Sequence, residues 1–199
     1  MDTFAVSRYY FRSYRVPALV EMRIMNKSKL VETLQMERTH WELLLEQVEK
    51  EHWAHPGVVG EWSVKDVVAH VMSYEHYILD RLLETLRGEA YSPRETSEEL
   101  TAYLEKHGYP DFGSPLLDDD EPNAWVVQHY RSVPVDEVVM QERQIFDQLL
   151  QAIQELSEDV LAEHQYAERI ESNTTEHYQH HANDIRNWIG SFPAQNSNE

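Results

Sequence analysis

The stretch that decides the fold is "GEWSVKDVVAHVMSYEHYILDRLLETLRG", residues 60–88. Its apolar residues Val64, Val67, Val68, Val71, Ile78, Leu82 and Leu86 recur at steps of three, four and seven, which is one face of an α-helix. Ser63 stands where a helix cap belongs, and Asp66 three residues on makes an acidic variant of the capping box. Gly88 suits the far end, where a left-handed residue closes a helix. One long amphipathic helix cannot bury its own stripe, so the rest of the chain must supply partners.

Those partners are readable on both sides. Leu30, Leu34, Trp41, Leu44, Leu45 and Val48 predict a helix over about 26–50, broken by "HPGVVGE". "SPRETSEELTAYLEKHG" predicts a short helix, and "YPDFGSPLLDDDEP" a long loop, a length that often carries function. "NAWVVQHYRS" predicts a further short helical piece. Pro134 fits the first turn of the next helix, whose stripe is Val135, Val138, Ile145, Leu149, Ile153 and Leu156. A last helix runs from about Thr174 to Ile189, with Gly190 as its stop. Strand patterns are nearly absent. The expected class is therefore all-α, a four-helix bundle with an extra short helix and a long loop between the second and third helices.

Residues 1–24 differ from the rest. They hold four arginines against Asp2 and Glu21 and lack the apolar centre of a secretory signal. They read as a poorly packed extension, with a transit peptide as the lesser alternative. The domain is expected over 25–190 and a loose tail over 191–199.

Composition narrows the function. The chain has 199 residues, about one domain, and no apolar run long enough to span a bilayer. Its formal net charge of −19 opposes phosphate backbones and acidic membranes, so neither nucleic acid nor membrane is expected as a partner. There is no cysteine, which removes disulfides, thiolate metal sites and a cysteine nucleophile. A cytoplasmic location is compatible with that. No H-E-x-x-H, phosphate-binding glycine loop or G-x-S-x-G elbow is present, and no general base stands out.

What remains is histidine. "NTTEHYQHHANDIRNWIG", residues 173–190, holds three in five positions. At about 100° per residue, with His177 at zero, Trp188 falls near 20°, His181 near 40°, Ile185 near 80° and Ile189 near 120°. His177 and His181 thus share the apolar face. His180, near −60°, lies toward solvent. A pair four apart can grip one metal ion. Chance alone gives roughly 0.6 such pairs among 11 histidines by a template count, so the pair by itself is weak. His70 lies on the shoulder of the stripe in 60–88, with Tyr74 one turn on, and a bundle can bring it against the last helix. Three imidazoles leave a coordination position open, the pattern of a catalytic rather than a structural site. The plain alternative is a hydrogen-bonded histidine at the core edge. Asp184, near −20°, is either an outer partner that orients an imidazole or an ordinary surface charge. His76 points away from the stripe and reads as solvated. His40, His52, His55, His107, His129 and His164 show no partner pattern.

Three segments together resemble the DinB-like superfamily of four-helix bundles. "GEWSVKDVVAHVMSYEHYI" is similar to its W-S/T-x-K-D-x-x-x-H segment, through Trp62, Ser63, Lys65, Asp66 and His70. "TTEHYQHHANDIRNWI" is similar to its H-Y-x-x-H-x-x-x-I-x-x-W segment, through His177, Tyr178, His181, Ile185 and Trp188. "EPNAWVVQHYRSVPVDEVV" resembles its N-x-W…R-x-x-P-x-x-E-V stretch. The resemblance covers residues 26–190. It implies one divalent ion, zinc or nickel, held by His70, His177 and His181. Asp184 and Tyr74, from their places on the two helices, are the candidates for surrounding partners of such a site. The resemblance also implies chemistry on a small electrophilic molecule, either thiol transfer with a diffusible low-molecular-weight thiol or hydrolysis. A homodimer is open under it. The first alternative is a resistance protein that sequesters a small molecule without turnover; the second is a helical interaction module whose histidines are incidental.

Overall fold

In the computed structural model the described residues are 26–118 and 120–192. The expected extension 1–24 and residues 193–199 of the expected tail lie outside them. Eight α-helices occur among the described residues: α1 (Lys27–Leu45), α2 (Val64–Leu86), α3 (Ser97–His107), α4 (Glu121–Tyr130), α5 (Val135–Glu155), α6 (Glu158–Glu163), α7 (Tyr166–Asn173) and α8 (Thr175–Ile189). The long ones, α1, α2, α5 and α8, form the bundle. The chief packing is of α2 on α5 and of α1 on α8, with α4 laid against α2 and α7 touching both α2 and α8.

Local chemistry sets the ends. Asn26 caps α1 by accepting from Ser28 N at 2.7 Å. The predicted capping box of α2 is present: Ser63 N donates to Asp66 Oδ2 at 2.8 Å, and Asp66 N donates to Ser63 Oγ at 3.3 Å. Each such cap satisfies backbone groups that a helix end leaves open, worth about 1 kcal/mol. Gly88 and Gly108 follow α2 and α3 at φ 71° and 73°, where a side chain is disfavoured. Thr96 and Glu99 make a second box at α3.

Two details differ from expectation. Pro134 is the cap of α5 rather than a residue of its first turn. Besides α3 and α4, the expected short pieces between its second and third members, the bundle carries α6 and α7 between its third and fourth. The last two were not expected, because segments of six and eight residues are too short to show an apolar period. Gln165, at φ 53°, turns the chain between them.

The core is split. One apolar cluster gathers Trp41, Val64, Val67, Val71, Val138, Tyr178, Ile185 and Trp188. The other gathers Leu30, Leu34, Ile78, Leu82, Leu149, Ile153 and Ile170. Burying each of the larger side chains contributes about 1.5–3 kcal/mol. Between the clusters sit three buried ionisable residues, Arg38 on α1, Glu75 on α2 and Glu142 on α5. Along each helix they fall where one cluster gives way to the other.

Candidate metal centre

The W-S-x-K-D segment is largely structural in this fold. Ser63 and Asp66 cap α2. Lys65 is 8% exposed, and its Nζ donates to the carbonyls of Tyr130 (3.2 Å), Arg131 (2.8 Å) and Val133 (3.3 Å), closing the end of α4. A cation at a helix C-terminus meets both its dipole and its open carbonyls. Trp62 lays its ring 5.2 Å from that of His70. The segment thereby fixes α4 and the first turns of α2, and with them the position of His70.

The structure brings His70, His177 and His181 together. One nitrogen from each lies within 4.8 Å of the others, and all three residues are buried. The ring of His70 stands edge-on to those of His177 and His181, at 5.3 and 5.1 Å, while His177 and His181 lie nearly parallel at 6.0 Å. His181 Nδ1 is 3.1 Å from Asp184 Oδ2. Its other nitrogen, Nε2, is buried and has no hydrogen-bond partner among the described residues. His180 is half-exposed, 3.8 Å from the same Asp184 oxygen. His180, His181 and Asp184 form a second, more exposed grouping.

Burial sets the charge state. Desolvation holds His70 well below the usual imidazole range, and the neighbouring His181 and His177 push the same way. Desolvation, then His181, pushes His177 down to about 3. His181 is also lowered by burial, although Asp184 opposes this. All three are therefore neutral at neutral pH, with lone pairs available to a cation.

The donor set fits a divalent ion. A tetrahedral zinc with bonds of ~2.0–2.1 Å puts its nitrogens about 3.3–3.4 Å apart, so the present spacing needs to close by at most about 1.5 Å. The carboxylate on the outer nitrogen of His181 fixes which nitrogen carries the proton and aims the other inward.

Aromatic rings roof the cluster. Tyr74 lies 4.9 Å from His70 and 4.5 Å from His177, and Phe112, from the loop after α3, stacks on Tyr74 at 4.0 Å. Asp111 holds that loop, accepting from Tyr91 OH at 2.7 Å and from Arg94 N at 2.9 Å. Phe112 gave no signal in the sequence; only the course of the loop brings it here. Asn123 of α4 lies beside His70.

Other histidines depart from expectation, His76 and His107 among them. His76 is not solvated but half-buried against Tyr109, with ring centroids 4.6 Å apart. His107 has a partner after all: its Nδ1 is 2.8 Å from Asp80 Oδ2, which also accepts from Tyr109 OH at 2.6 Å. Both contacts span 27 residues or more and carry no local pattern.

The sequence profile of the DinB family matches residues 22–108, a span that takes in α1 to α3 and His70 but not α8. No curated protein matches. Two solved structures share the fold. One is an uncharacterised protein from Escherichia coli UTI89, with a TM-score of 0.63 and 13% identity, covering 82% of this chain and 92% of that one. The other is the colibactin self-resistance protein ClbS in complex with a dsDNA, with a TM-score of 0.63 and 13% identity, covering 84% and 97%. The second corrects the expectation that nucleic acid is excluded as a partner. A protein of this fold is solved on a duplex. Net charge sums the whole surface, whereas phosphate contacts are local, so −19 is no ground for exclusion. Among the described residues no helix is long and apolar enough to cross a membrane.

Proposed function

We propose that this DinB-like chain holds one divalent ion, zinc or nickel, on His70, His177 and His181, and acts as a metal-dependent enzyme on a small electrophilic molecule. The carrying observation is His181: Asp184 holds its outer nitrogen, and its inner nitrogen is buried, unpartnered and beside two neutral imidazoles. A buried polar atom left unpaired costs about 1–3 kcal/mol, and an ion on that nitrogen removes the penalty.

Three imidazoles suit zinc or nickel. When bound, such an ion would supply Lewis acidity at an open position, lowering the pKa of a water or thiol brought to it. The chain's own residues do the rest. Asp184 keeps the His181 proton on Nδ1. Tyr74, Phe112 and Trp62 wall the cluster with rings and exclude bulk water. With no cysteine in the chain, a thiol nucleophile comes from a diffusible cofactor; with water instead, the reaction is hydrolysis.

The test is metal content by mass spectrometry after dialysis. Wild type and His180→Ala are expected to carry about one ion per chain, while His70→Ala, His177→Ala and His181→Ala lose it, since two imidazoles make a poor site. Retention by His177→Ala, or loss by His180→Ala, overturns the assignment.

A second reading is sequestration without turnover. It draws on ClbS, a self-resistance protein of this fold, and on the burial of the cluster beneath aromatic rings. A panel of electrophiles with and without added thiol separates binding from turnover. ClbS is also solved on a duplex, which makes DNA a candidate partner of this chain. Titration with duplex DNA at two salt concentrations tests that.

A further inference from the structure

Beneath the histidines, a chain of polar contacts joins all four bundle helices. Tyr178 follows His177 on α8. Its hydroxyl donates to Glu75 Oε1 on α2 and accepts from Arg38 Nη1 on α1 at 3.3 Å. Arg38 in turn forks onto Glu142 on α5, with Nη2 donating to Oε2 at 2.6 Å. The Tyr178 ring stacks on Trp41 of α1 at 5.4 Å. Glu75 is fully buried, and its second oxygen, Oε2, has no hydrogen-bond partner among the described residues. A single contact to Tyr178 is an unusual return for burying a carboxyl group, which makes that contact's purpose a question.

We propose that the Tyr178–Glu75 hydrogen bond is a positioning contact: it sets the spacing of α8 against α2, and so the distance of His177 and His181 from His70. The inference rests on the metal reading above. α2 carries His70 and, five residues on, Glu75. α8 carries His177 and, next to it, Tyr178. Among the described residues the backbones of α2 and α8 run less closely together than those of α2 and α5 or of α1 and α8, which leaves their separation near the cluster to side-chain contacts. A side-chain hydrogen bond one residue from a ligand fixes it. Trp41 and Arg38 hold the Tyr178 ring from the other side, so the hydroxyl cannot swing away.

Cobalt(II) is the probe, because its visible spectrum reports ligand geometry and not merely occupancy. Titrations compare wild type with Tyr178→Phe, Glu75→Leu, Glu75→Gln and His177→Ala, each checked by circular dichroism. Tyr178→Phe and Glu75→Leu are expected to bind about 10–100-fold more weakly, the range for contacts that support a ligand from behind, with a shifted spectrum. Glu75→Gln keeps an acceptor for the hydroxyl and is expected within about threefold of wild type, with its spectrum. A merely structural role would lower the melting temperature and leave the spectrum of the folded variants alone. If Tyr178→Phe fails to fold, Glu75→Leu carries the test. Wild-type affinity and spectrum in Tyr178→Phe and Glu75→Leu, while His177→Ala loses cobalt, overturn the positioning role and leave the ligand assignment standing. Unchanged cobalt binding by His177→Ala overturns both.

Discussion

Replacing Arg38 by Met tests the buried polar chain as a determinant of stability. Arg38 is 5% exposed and Glu142 is 1% exposed. The guanidinium gives Glu142 two hydrogen bonds, gives Glu42 one at 2.9 Å, and lies 4.7 Å from the Phe146 ring. Methionine fills much of the same volume but leaves the Glu142 carboxylate buried and unpaired, which costs about 3–5 kcal/mol. The lost contact with Phe146 adds about 0.5–2 kcal/mol. The exposed side of the Glu42 pair contributes little. At roughly 2–4 °C per kcal/mol for a chain of this size, a combined loss of about 3.5–7 kcal/mol should lower the melting temperature by roughly 7–28 °C. The double variant Arg38→Met, Glu142→Leu removes both charges, and exchanging a whole buried pair for apolar residues is often neutral. It should therefore recover most of the loss. Urea unfolding followed by circular dichroism, with all four corners of the cycle measured, gives the coupling energy. A single-variant loss below about 1 kcal/mol, or a double variant no better than the single, refutes the claim that Glu142 depends on Arg38.

Other outcomes follow from single contacts. Burial, with Glu142 adding to it, pushes the Glu75 carboxyl from 4.5 up to about 8, so the folded state holds a proton that the unfolded state has released. That contribution is fully present below pH 4.5 and is lost as pH rises toward 8, by up to about 1.4 kcal/mol per pH unit. Unfolding free energies of wild type and Glu75→Gln over this window should diverge with that slope, and parallel curves would count against a protonated Glu75. Asp184→Ala, which frees His181 Nδ1, should weaken metal binding about 10–100-fold in a chelator competition while leaving the melting temperature of the metal-free protein nearly unchanged. In Gly113→Ala the added methyl would collide with Tyr91 Oη and sit 2.6 Å from Tyr77 Oη, and Tyr91 is tied to Asp111. Overpacking of this kind should cost about 1–3 kcal/mol in thermal unfolding. Lys65→Met strips the end of α4 of a donor shared by three carbonyls, and amide hydrogen exchange should rise in α4 before it rises in α5.

The sequence by itself determined the helices and the way two histidines face. Apolar residues three and four apart place α1, α2, α5 and α8, and the Ser63–Asp66 box marks the start of α2 to the residue. The same rotation of about 100° per residue put His177 and His181 on the buried face and His180 outside, as they stand in the structure. These are local matters: a cap or a face is settled within one or two turns. The short α6 and α7 escaped because fewer than three turns leave too little period to read. Only the tertiary structure decided that His70 meets His177 and His181, across more than 100 residues, and that Phe112 lies over Tyr74 above them. It alone showed Arg38, Glu75 and Glu142 inside the bundle, since a search for apolar stripes passes over ionisable residues whose partners lie on other helices. The physical reason is one of range. Helix periodicity is written in neighbouring residues, whereas the meeting of side chains from four helices depends on how all four pack at once.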